Sequence, residues 1–459
     1  MIVAVSAAAT ASGGLLLFDR IADRWEQIPE IPASEVPEPE PGEPYTLLLL
    51  GSDRRPSLPD ERSDTTMLLR LDPGRDVISL LSFPRDLNVY ITGQGFDKIN
   101  AAYASGGPRL TLRTVKQLTD LEINGVVDVD FQGFAEAVDA VDCVYVDVDR
   151  EYYAPAGAGY AEIDINAGYQ RLCGLKALQY VRFRHTDNDI VRAARQQSFL
   201  REARQRLGLG AIASGGLLDA LVDNTRATID GGELRTIARS LFELRSASVN
   251  ETRIVGDLGP TDIVASDREV ERAVDRFLNG VAPQEDDGGD EDTEGAEDTG
   301  AEAAPQEPSG GGGPLLVDSD PQFGRYAGTA ARRLGIAAFY PTLLPPESSF
   351  SRDSRTYEYL DEEGRRQAAY KLVVSRPHPV IATEYFGLMG TTWNDPPILR
   401  EPSEVREVDG REFMLFFAGK DLRLVGWKQE GSSYWFSNSL LESLSNREML
   451  EIAASVAPA

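Results

Sequence analysis

The sequence predicts an α/β domain built on a mostly parallel sheet, followed by a smaller α+β unit. The first observation is Tyr45–Leu50, a continuously apolar run that ends at Gly51, as in a strand buried on both faces. The second is a predicted strand over Val126–Phe131, a helix over Gln132–Val141 and a strand over Cys143–Val148. Strands that alternate with helices are typical of a parallel sheet with helices on both sides.

The other elements of this domain follow from turn residues and periodicity. Thr66–Leu71 and Val77–Phe83 are predicted strands, because the LDPGRD segment between them is typical of a turn. Leu110–Leu118 has a helical period, and Leu175–Tyr180 continues the alternation. In such sheets, ligands bind beyond the carboxyl ends of the strands. Further helices are predicted over residues 188–207, 215–224, 232–244 and 266–279.

The N-terminus is predicted to be a membrane anchor. Residues 1–18 carry no charged side chain, and their length is at the short end of what crosses a bilayer. A buried N-terminal helix is the alternative. No basic segment precedes the run, which argues against a complete signal peptide. Residues 19–43 include a Pro- and Glu-rich stretch and are predicted to form an extended spacer.

A charged linker is predicted between the two folded parts. Residues 281–314 are rich in carboxylates and contain no Lys or Arg, which is typical of a disordered segment. Residues 315–459 are predicted to be a separate accessory α+β domain, with a hairpin over 355–376, a meander over 405–439 and a closing helix over 444–456. Its clustered aromatic side chains either stack on sugars or pack in the core, and we favour core packing. These side chains are Trp427, Tyr434, Trp435 and Phe436.

Composition argues against two classes of function. The net charge of −28 disfavours a nucleic-acid partner, because the phosphate backbone would be repelled. Two histidines and two cysteines are too few for a zinc cluster without further ligands. From spacing alone, Cys143 and Cys173 are either two buried thiols or a disulfide formed in an oxidising compartment.

Arginine side chains concentrate in residues 180–197, YVRFRHTDNDIVRAARQQ, within an otherwise acidic chain. Arg182 and Arg184 are two positions apart, so they point to one side if the segment is extended. Guanidinium groups stay charged and bind phosphate through paired hydrogen bonds. We therefore predict that this stretch binds a diphosphate.

The second half of the same stretch is predicted to begin a helix. A cap at Asn188 or Asp189 would place Asp189 and Arg192 on one face. Arg195 or Gln196 would lie on the same face one turn later. The predicted anion site is therefore a strand-to-helix junction with arginines on both sides.

Charged residues also lie at the ends of the predicted strands. Asp53 follows the first strand in GSDRR, Asp64 precedes the second in RSDTT, and Arg85 follows the third in FPRD. Any one of these groups could form a surface salt bridge that adds little to stability. Charged side chains clustered at several strand ends, however, seldom contribute to core packing. Asp53 and Asp64 suit Mg²⁺ bound together with substrate phosphates. Arg55, Arg62 and Arg85 would add the positive charge that phosphoryl transfer requires.

These motifs resemble, in their order and spacing, the LytR-CpsA-Psr (LCP) family. The resemblance covers residues 44–280 and is carried by GSDRR, RSDTT, FPRD, KINAAYASGG, VDVDFQGFAEAVDA and the arginine stretch. It implies a three-layer αβα sandwich that binds a polyprenyl diphosphate lipid in an apolar tunnel, anchored on the outer face of the bacterial cell membrane. It also implies a Mg²⁺-dependent phosphotransferase that moves a glycopolymer from this carrier to peptidoglycan.

The resemblance also implies roles for individual residues. Asp53 and Asp64 correspond to the metal-binding and catalytic carboxylates, and Arg85 is a further catalytic residue. The diphosphate would be bound by a set of arginines and one glutamine. These are Arg55, Arg62, Arg85, Arg182, Arg184, Arg192, Arg195 and Gln196.

One segment departs from the family pattern. Where LCP proteins usually have a Gly-Gly turn after VDA, this chain has Val141, Asp142 and Cys143. Some actinobacterial members carry a cysteine pair, so the resemblance implies a disulfide between Cys143 and Cys173.

Three other functions stay open at this point. The same residues would serve a polyprenyl diphosphate hydrolase with water as the acceptor. A non-catalytic protein could bind the lipid diphosphate and pass it on, although it would not need Asp53 and Asp64 together with the arginines. A transcriptional regulator is disfavoured by the net charge, the predicted anchor and the lack of a helix-turn-helix signal.

Overall fold

The structure is a computed structural model that describes most of the chain between residues 27 and 459. The predicted anchor, Arg55, Arg62 and the predicted linker lie outside the described residues. Within the described ranges, no helix is long and apolar enough to span a membrane. The described residues are 27–32, 36–37, 43–54, 63–157, 162–184, 187–204, 220, 222–230, 233, 237, 240, 244, 248–259, 261–279, 316–379 and 381–459.

The N-terminal part contains the elements predicted for an α/β domain. Its strands are β1 (Tyr45–Ser52), β2 (Ser63–Asp72), β3 (Val77–Phe83), β4 (Asn88–Ile91), β5 (Gly95–Lys98), β6 (Gly125–Asp130), β7 (Val144–Val148), β8 (Tyr152–Ala154), β9 (Ile163–Ile165), β10 (Gly168–Leu172), β11 (Thr225–Ala227), β12 (Ser248–Arg253), β13 (Asp257–Leu258) and β14 (Ile263–Val264). Its helices are α1 (Ile99–Thr119), α2 (Phe131–Ala140), α3 (Gly174–Arg182), α4 (Asp189–Arg204) and α5 (Asp267–Asn279).

The central sheet is mixed, so the prediction of a mostly parallel sheet is wrong. Six strands run in the order β11-β6-β1-β2-β3-β12. β2 is antiparallel to both β1 and β3, and β11 is antiparallel to β6. Parallel pairing joins β1 with β6 and β3 with β12. The strands β1, β2 and β3 follow one another without an intervening helix, and such short connections produce antiparallel neighbours.

Both faces of this sheet are covered, as the apolar run in β1 predicts. Leu48 and Leu50 pack on one face with residues of α1 and α5. Tyr45 and Leu47 pack on the other face with described residues between 222 and 244. Side chains alternate between the faces of a strand, so a strand covered on both sides needs apolar residues at nearly every position. The architecture is therefore α/β with a central sheet and helices.

Helix α1 begins earlier than the predicted helix over Leu110–Leu118. It starts at Ile99 and is interrupted at Gly107, whose φ of 60° is left-handed, before Pro108. Proline disfavours a helical conformation in the preceding residue, and glycine accepts the positive φ at little steric cost. The Gly-Gly-Pro sequence thus divides the helix into two parts, and the predicted helix covers only the second.

A disulfide joins Cys143 to Cys173, with the two Cα atoms 4.5 Å apart. Cys143 lies directly before β7, and Cys173 is the N-cap residue of α3. The bond therefore fixes the start of α3 against the turn that follows α2.

The C-terminal region, residues 316–459, contains the predicted hairpin, meander and closing helix. Its strands are β15 (Val317–Asp318), β16 (Phe339–Pro341), β17 (Leu343–Leu344), β18 (Ser349–Phe350), β19 (Arg355–Leu360), β20 (Arg366–His378), β21 (Ala382–Thr391), β22 (Glu404–Val408), β23 (Arg411–Ala418), β24 (Asp421–Gln429), β25 (Ser432–Ser437) and β26 (Val456–Pro458). Its helices are α6 (Gln322–Leu334), α7 (Asn446–Ala454) and the short 3₁₀ helix Pro397–Leu399.

The C-terminal region has its own core but also shares one with the N-terminal part. The four aromatic side chains of the meander are buried, which confirms core packing. A second cluster joins Tyr145 and Tyr169 to Trp393 and Trp435 across the two parts. The structure therefore does not confirm the C-terminal region as a separate domain.

Candidate functional site

The mixed sheet still brings the strand-end charges to one edge. β1 and β3 both run antiparallel to β2, so their carboxyl ends lie beside the start of β2. In register, Gly51 is opposite Thr65 and Thr66 is opposite Phe83. Asp53, Asp64 and Arg85 therefore all lie at this edge, as the sequence predicts.

Asp64 is the centre of the site. One carboxylate oxygen accepts a hydrogen bond from Arg85 Nη1 at 2.6 Å. The other accepts from Arg182 Nη2 at 2.9 Å and Nε at 3.1 Å, a two-point contact typical of arginine and carboxylate. Burial acts to raise the pKa of Asp64, but Arg182, Arg85 and Arg192 outweigh it and hold the pKa below its usual value. Asp64 therefore remains ionised.

Arg182 reaches Asp64 from the end of a helix, and not from an extended segment. It is the last residue of α3, and Arg184 lies in the loop that follows. The predicted strand-to-helix junction is therefore a helix-to-helix junction, and the two-residue spacing does not by itself place Arg182 and Arg184 on one side. The guanidinium of Arg182 also lies over the ring of Phe131, with Cζ 3.7 Å from the ring centroid.

Asp86 forms a second carboxylate centre at the same edge. It accepts from Arg184 Nη2 at 2.5 Å and from Lys98 Nζ at 3.1 Å. Burial acts to raise its pKa, but Lys98 and Arg184 lower it below the usual value. Arg184 has 37% of its side chain exposed, so this pair faces solvent.

Asp189 and Arg192 form the inner wall of the site. Asn188 caps α4 as predicted, because its Oδ1 accepts the backbone N–H of Val191 at 3.1 Å. Asp189 pairs with Arg192 one turn later and accepts the backbone N–H of Arg85. Burial lowers the pKa of Arg192, whereas Asp189 and Asp64 raise it. Asp189 thus connects the arginine stretch to the end of β3.

Arg195 and Gln196 point away from this edge. Arg195 is fully buried; its guanidinium donates to the carbonyls of Tyr180 (3.2 Å) and Phe183 (2.9 Å) and pairs with Asp187. Gln196 Nε2 donates to a backbone carbonyl of α3 at 3.2 Å. Both side chains support the α3–α4 junction, and their placement does not favour direct binding of a diphosphate.

Asp53 completes the described part of the site. It is partly buried directly after β1, and its neighbour Arg54 donates to Asp130 Oδ2 at 2.9 Å. Arg55 and Arg62, which were predicted to bind diphosphate, lie outside the described residues.

The carboxylates fit the chemistry of a magnesium site. Asp53, directly after β1, and Asp64, near the start of β2, supply hard oxygens, and the Asp64 oxygen that accepts one hydrogen bond can still accept a second partner. Among the described residues, a cluster of three potential metal ligands is formed by Asp139, Cys143 and Cys173. The two sulfurs of that cluster are bonded to each other, so it does not offer free thiolates.

Sequence reasoning left several contributing residues out of the site. Asp86 adjoins the predicted Arg85, and Asp189 was predicted only as a helix cap on the same face as Arg192. Both carboxylates are indicated by the need to balance the charge of so many buried arginines. The contact of Phe131 with Arg182 could not be predicted in this way, because an aromatic residue at the start of a helix usually packs in the core. The open arginine cluster is defined here as Asp64, Arg85, Asp86, Arg182 and Arg184.

The sequence matches the model of the LytR_cpsA_psr family over residues 22–275, which is more than half of the chain. It is 34% identical over 201 residues to the polyisoprenyl-teichoic acid–peptidoglycan teichoic acid transferase TagU of Oceanobacillus iheyensis, covering 42% of this chain and 61% of TagU. It is 34% identical over 239 residues to the probable cell wall biosynthesis protein LcpB of Corynebacterium glutamicum, covering 47% of this chain and 56% of LcpB. The chain thus spans less than two thirds of either relative.

A structural likeness accompanies these matches. The LytR-CPS2A-psr family protein YwtF (TagT) with bound octaprenyl pyrophosphate lipid superimposes with a TM-score of 0.41 at 23% identity. The superposition covers 55% of this chain and 98% of that protein.

Proposed function

Because this chain belongs to the LytR-CpsA-Psr family, we propose that it is a phosphotransferase that moves a glycopolymer from a polyprenyl diphosphate carrier to peptidoglycan. Its relative TagU carries the name of a transferase of teichoic acid to peptidoglycan, and LcpB that of a cell wall biosynthesis protein. A cell-wall glycan as the transferred group is consistent with both names.

The observation that carries the proposal is the open arginine cluster. Arg85, Arg182 and Arg184 converge on one edge of the sheet, with 18%, 35% and 37% of their side chains exposed. A diphosphate entering this edge would replace carboxylate partners with phosphate oxygens, which arginine binds with the same two-point geometry. The buried Arg192 adds positive charge from beneath.

In the proposed reaction, a hydroxyl oxygen of the acceptor sugar attacks the phosphorus attached to the glycan. The bond from that phosphorus to the bridging oxygen breaks, and polyprenyl phosphate leaves with the bond electrons. The arginines bind the phosphate oxygens throughout, so charge that develops on them is neutralised in place. Positioning and electrostatics account for most of the rate enhancement in such transfers.

The hydroxyl proton passes to a carboxylate of the site. Asp53 or Asp64 would accept the proton only while it is not bound to the metal, and the lowered pKa of Asp64 makes it the weaker base of the two. Mg²⁺ held by Asp53 and Asp64 would supply further neutralisation of the diphosphate.

We also propose that the folded part lies outside the cell membrane, anchored by residues 1–18. The Cys143–Cys173 disulfide supports this location, because such bonds persist in oxidising compartments and are rare in the cytosol. The uncharged character of residues 1–18 supports the anchor.

The test supplies a glycosylated polyprenyl diphosphate, peptidoglycan fragments and Mg²⁺, with mass spectrometry for the phosphodiester-linked product. We expect product from the wild-type chain and a loss of about 100-fold or more with Arg85→Ala. The control Arg366→Ala removes an arginine that is 81% exposed and pairs only at the surface, and should retain activity.

The same reaction mixture separates the other candidate functions. Release of the glycan phosphate without a link to peptidoglycan would identify a hydrolase. Lipid that co-purifies with the protein, without turnover, would identify a binding protein. Equal product from the wild type and Arg85→Ala would contradict the assigned site.

A further inference from the structure

The C-terminal region packs on the N-terminal part through buried polar contacts. Asp147 on β7 accepts from Lys371 Nζ at 2.7 and 2.8 Å, and the two side chains are 6% and 1% exposed. The same carboxylate accepts from Trp435 Nε1 at 2.9 Å and Ser437 Oγ at 2.5 Å. A buried carboxylate with this many donors fixes one orientation of the two surfaces.

A second contact lies at the C-terminal end of helix α4, whose first turn forms the inner wall of the site. Glu202 pairs with Arg423 on β24 at 3.4 Å. Arg201 pairs with Glu442 of the C-terminal region at 3.6 Å and with Glu251 on β12 at 3.0 Å. The far end of α4 is therefore tied to the C-terminal region.

A third contact reaches the residues just before α4. The ring of Tyr385 on β21 lies under the guanidinium of Arg150, with Cζ 5.2 Å from the ring centroid. Arg150 in turn pairs with Asp187. Asp187 precedes the cap of α4 and lies three positions after Arg184.

The interface contains a polar cavity beside the shared aromatic cluster. A cavity of about 60 Å³ separates the two parts and is lined by Asp147, Glu202, Arg423 and Glu442 among others. Its size and polar lining suit a few water molecules. Buried ionic contacts stabilise less than apolar packing of equal area, but they are directional.

We propose that the C-terminal region is a positioning element for Arg192 and for the nearby Arg184 of the open arginine cluster. It holds α4 through Glu202 and the preceding segment through Arg150, and Arg192 lies between these two anchor points. A displacement of about 1 Å is enough to break the two-point geometry that phosphate binding requires. The inference rests on the proposed function only in taking the ligand to be a diphosphate.

The test compares two interface variants with a control that changes only the core of the C-terminal region. The interface variants are Arg423→Met and Tyr385→Leu; the control is Ile452→Val on the buried face of α7. Calorimetry with geranyl diphosphate and Mg²⁺ should show about 3- to 10-fold weaker binding in both interface variants. The control should bind as the wild type does.

Hydrogen exchange supplies a second measurement that needs no ligand. Amides of residues 187–192 should exchange faster in both interface variants than in the control. Unchanged exchange and binding in both interface variants, or equal weakening in Ile452→Val, would overturn the positioning role. If the wild type does not bind geranyl diphosphate, the proposed function is contradicted at its binding step. The positioning role is then still tested by the rate of hydrogen exchange at residues 187–192.

Discussion

Two arginine–aspartate clusters include residues of the α3–α4 junction, and they differ in burial rather than in chemistry. In the open arginine cluster, Arg182 and Arg184 are about one third exposed beside Asp64 and Asp86. In the closed cluster, defined as Arg150, Asp187 and Arg195, the guanidinium of Arg195 is fully buried with Cζ 4.5 Å from the ring centroid of Tyr152.

The surroundings of an arginine side chain decide whether it can bind a ligand. An exposed guanidinium paired with one carboxylate can exchange that partner for a phosphate at small cost. A guanidinium held by two carbonyls, a carboxylate and a ring cannot be withdrawn without leaving buried groups unpaired. Arg182 and Arg195 come from the same short stretch of sequence, yet one is placed to bind a ligand and the other to support the fold.

The largest expected effect is on the closed cluster. Arg195→Met removes a buried guanidinium that donates to the carbonyls of Tyr180 and Phe183 and pairs with Asp187, and it should destabilise the protein by about 3 to 5 kcal/mol. Urea unfolding measures the change, with Arg366→Met as the surface control, expected within about 0.5 kcal/mol of the wild type. If Arg195→Met lowers the free energy of unfolding by less than about 1 kcal/mol, the closed cluster does not stabilise the fold as its burial indicates.

Removal of the disulfide tests whether both clusters depend on the position of α3. The double variant Cys143→Ser, Cys173→Ser releases the start of α3, while its other end carries Arg182. The bond closes a sequence separation of 30 residues, so its loss should cost about 2 to 4 kcal/mol in unfolding free energy. Transferase activity should fall with it. Unchanged activity would indicate that Arg195 and Gln196 hold α3 without the bond.

For the open cluster, the expected loss is in activity rather than in stability. Arg182→Met should lower kcat/KM for the glycosylated polyprenyl diphosphate by about 10- to 100-fold, because one cation that binds the diphosphate is lost. The free energy of unfolding should change by less than about 1 kcal/mol, since Asp64 keeps its bond to Arg85. Loss of stability without loss of activity would reverse the roles of the two clusters.

The smallest expected effect concerns a third group of charges, between α4 and the C-terminal region. Burial, with smaller repulsion from Glu251 and Asp421, raises the pKa of Glu442 from 4.5 to about 7, and the attraction of Arg201 and Arg253 offsets this rise only in part. The folded state therefore binds the proton more tightly than the unfolded state. The stabilisation is fully present below pH 4.5 and is lost as the pH rises through about 7.

Glu442→Gln tests this directly. The variant keeps the neutral form at every pH, so it should be more stable than the wild type by on the order of 1 kcal/mol near pH 8. Thermal unfolding across the pH range measures the difference. A wild-type profile that coincides with the variant profile would show that Glu442 remains ionised in the fold.

The sequence predicts which charged residues meet at the sheet edge, but it does not predict the contacts inside the site. Asp53, Asp64 and Arg85 were found because charges at strand ends have no packing role. The predicted strand directions were wrong, but the strand-end charges still lie at one edge of the sheet. An antiparallel β2 starts where β1 and β3 end, so the same three segments meet in either arrangement.

By itself, the sequence determined the apolar strand β1, a capped start of α4 at Asn188 or Asp189, the strand-end charges and the family. Each of these depends on neighbours in the chain, through periodicity, capping or motif order. Only the tertiary structure decided that Arg182 faces Asp64 while Arg195 is buried against Asp187, and that the C-terminal region is tied to the far end of α4. These outcomes depend on desolvation and on partners distant in sequence, which no local pattern encodes.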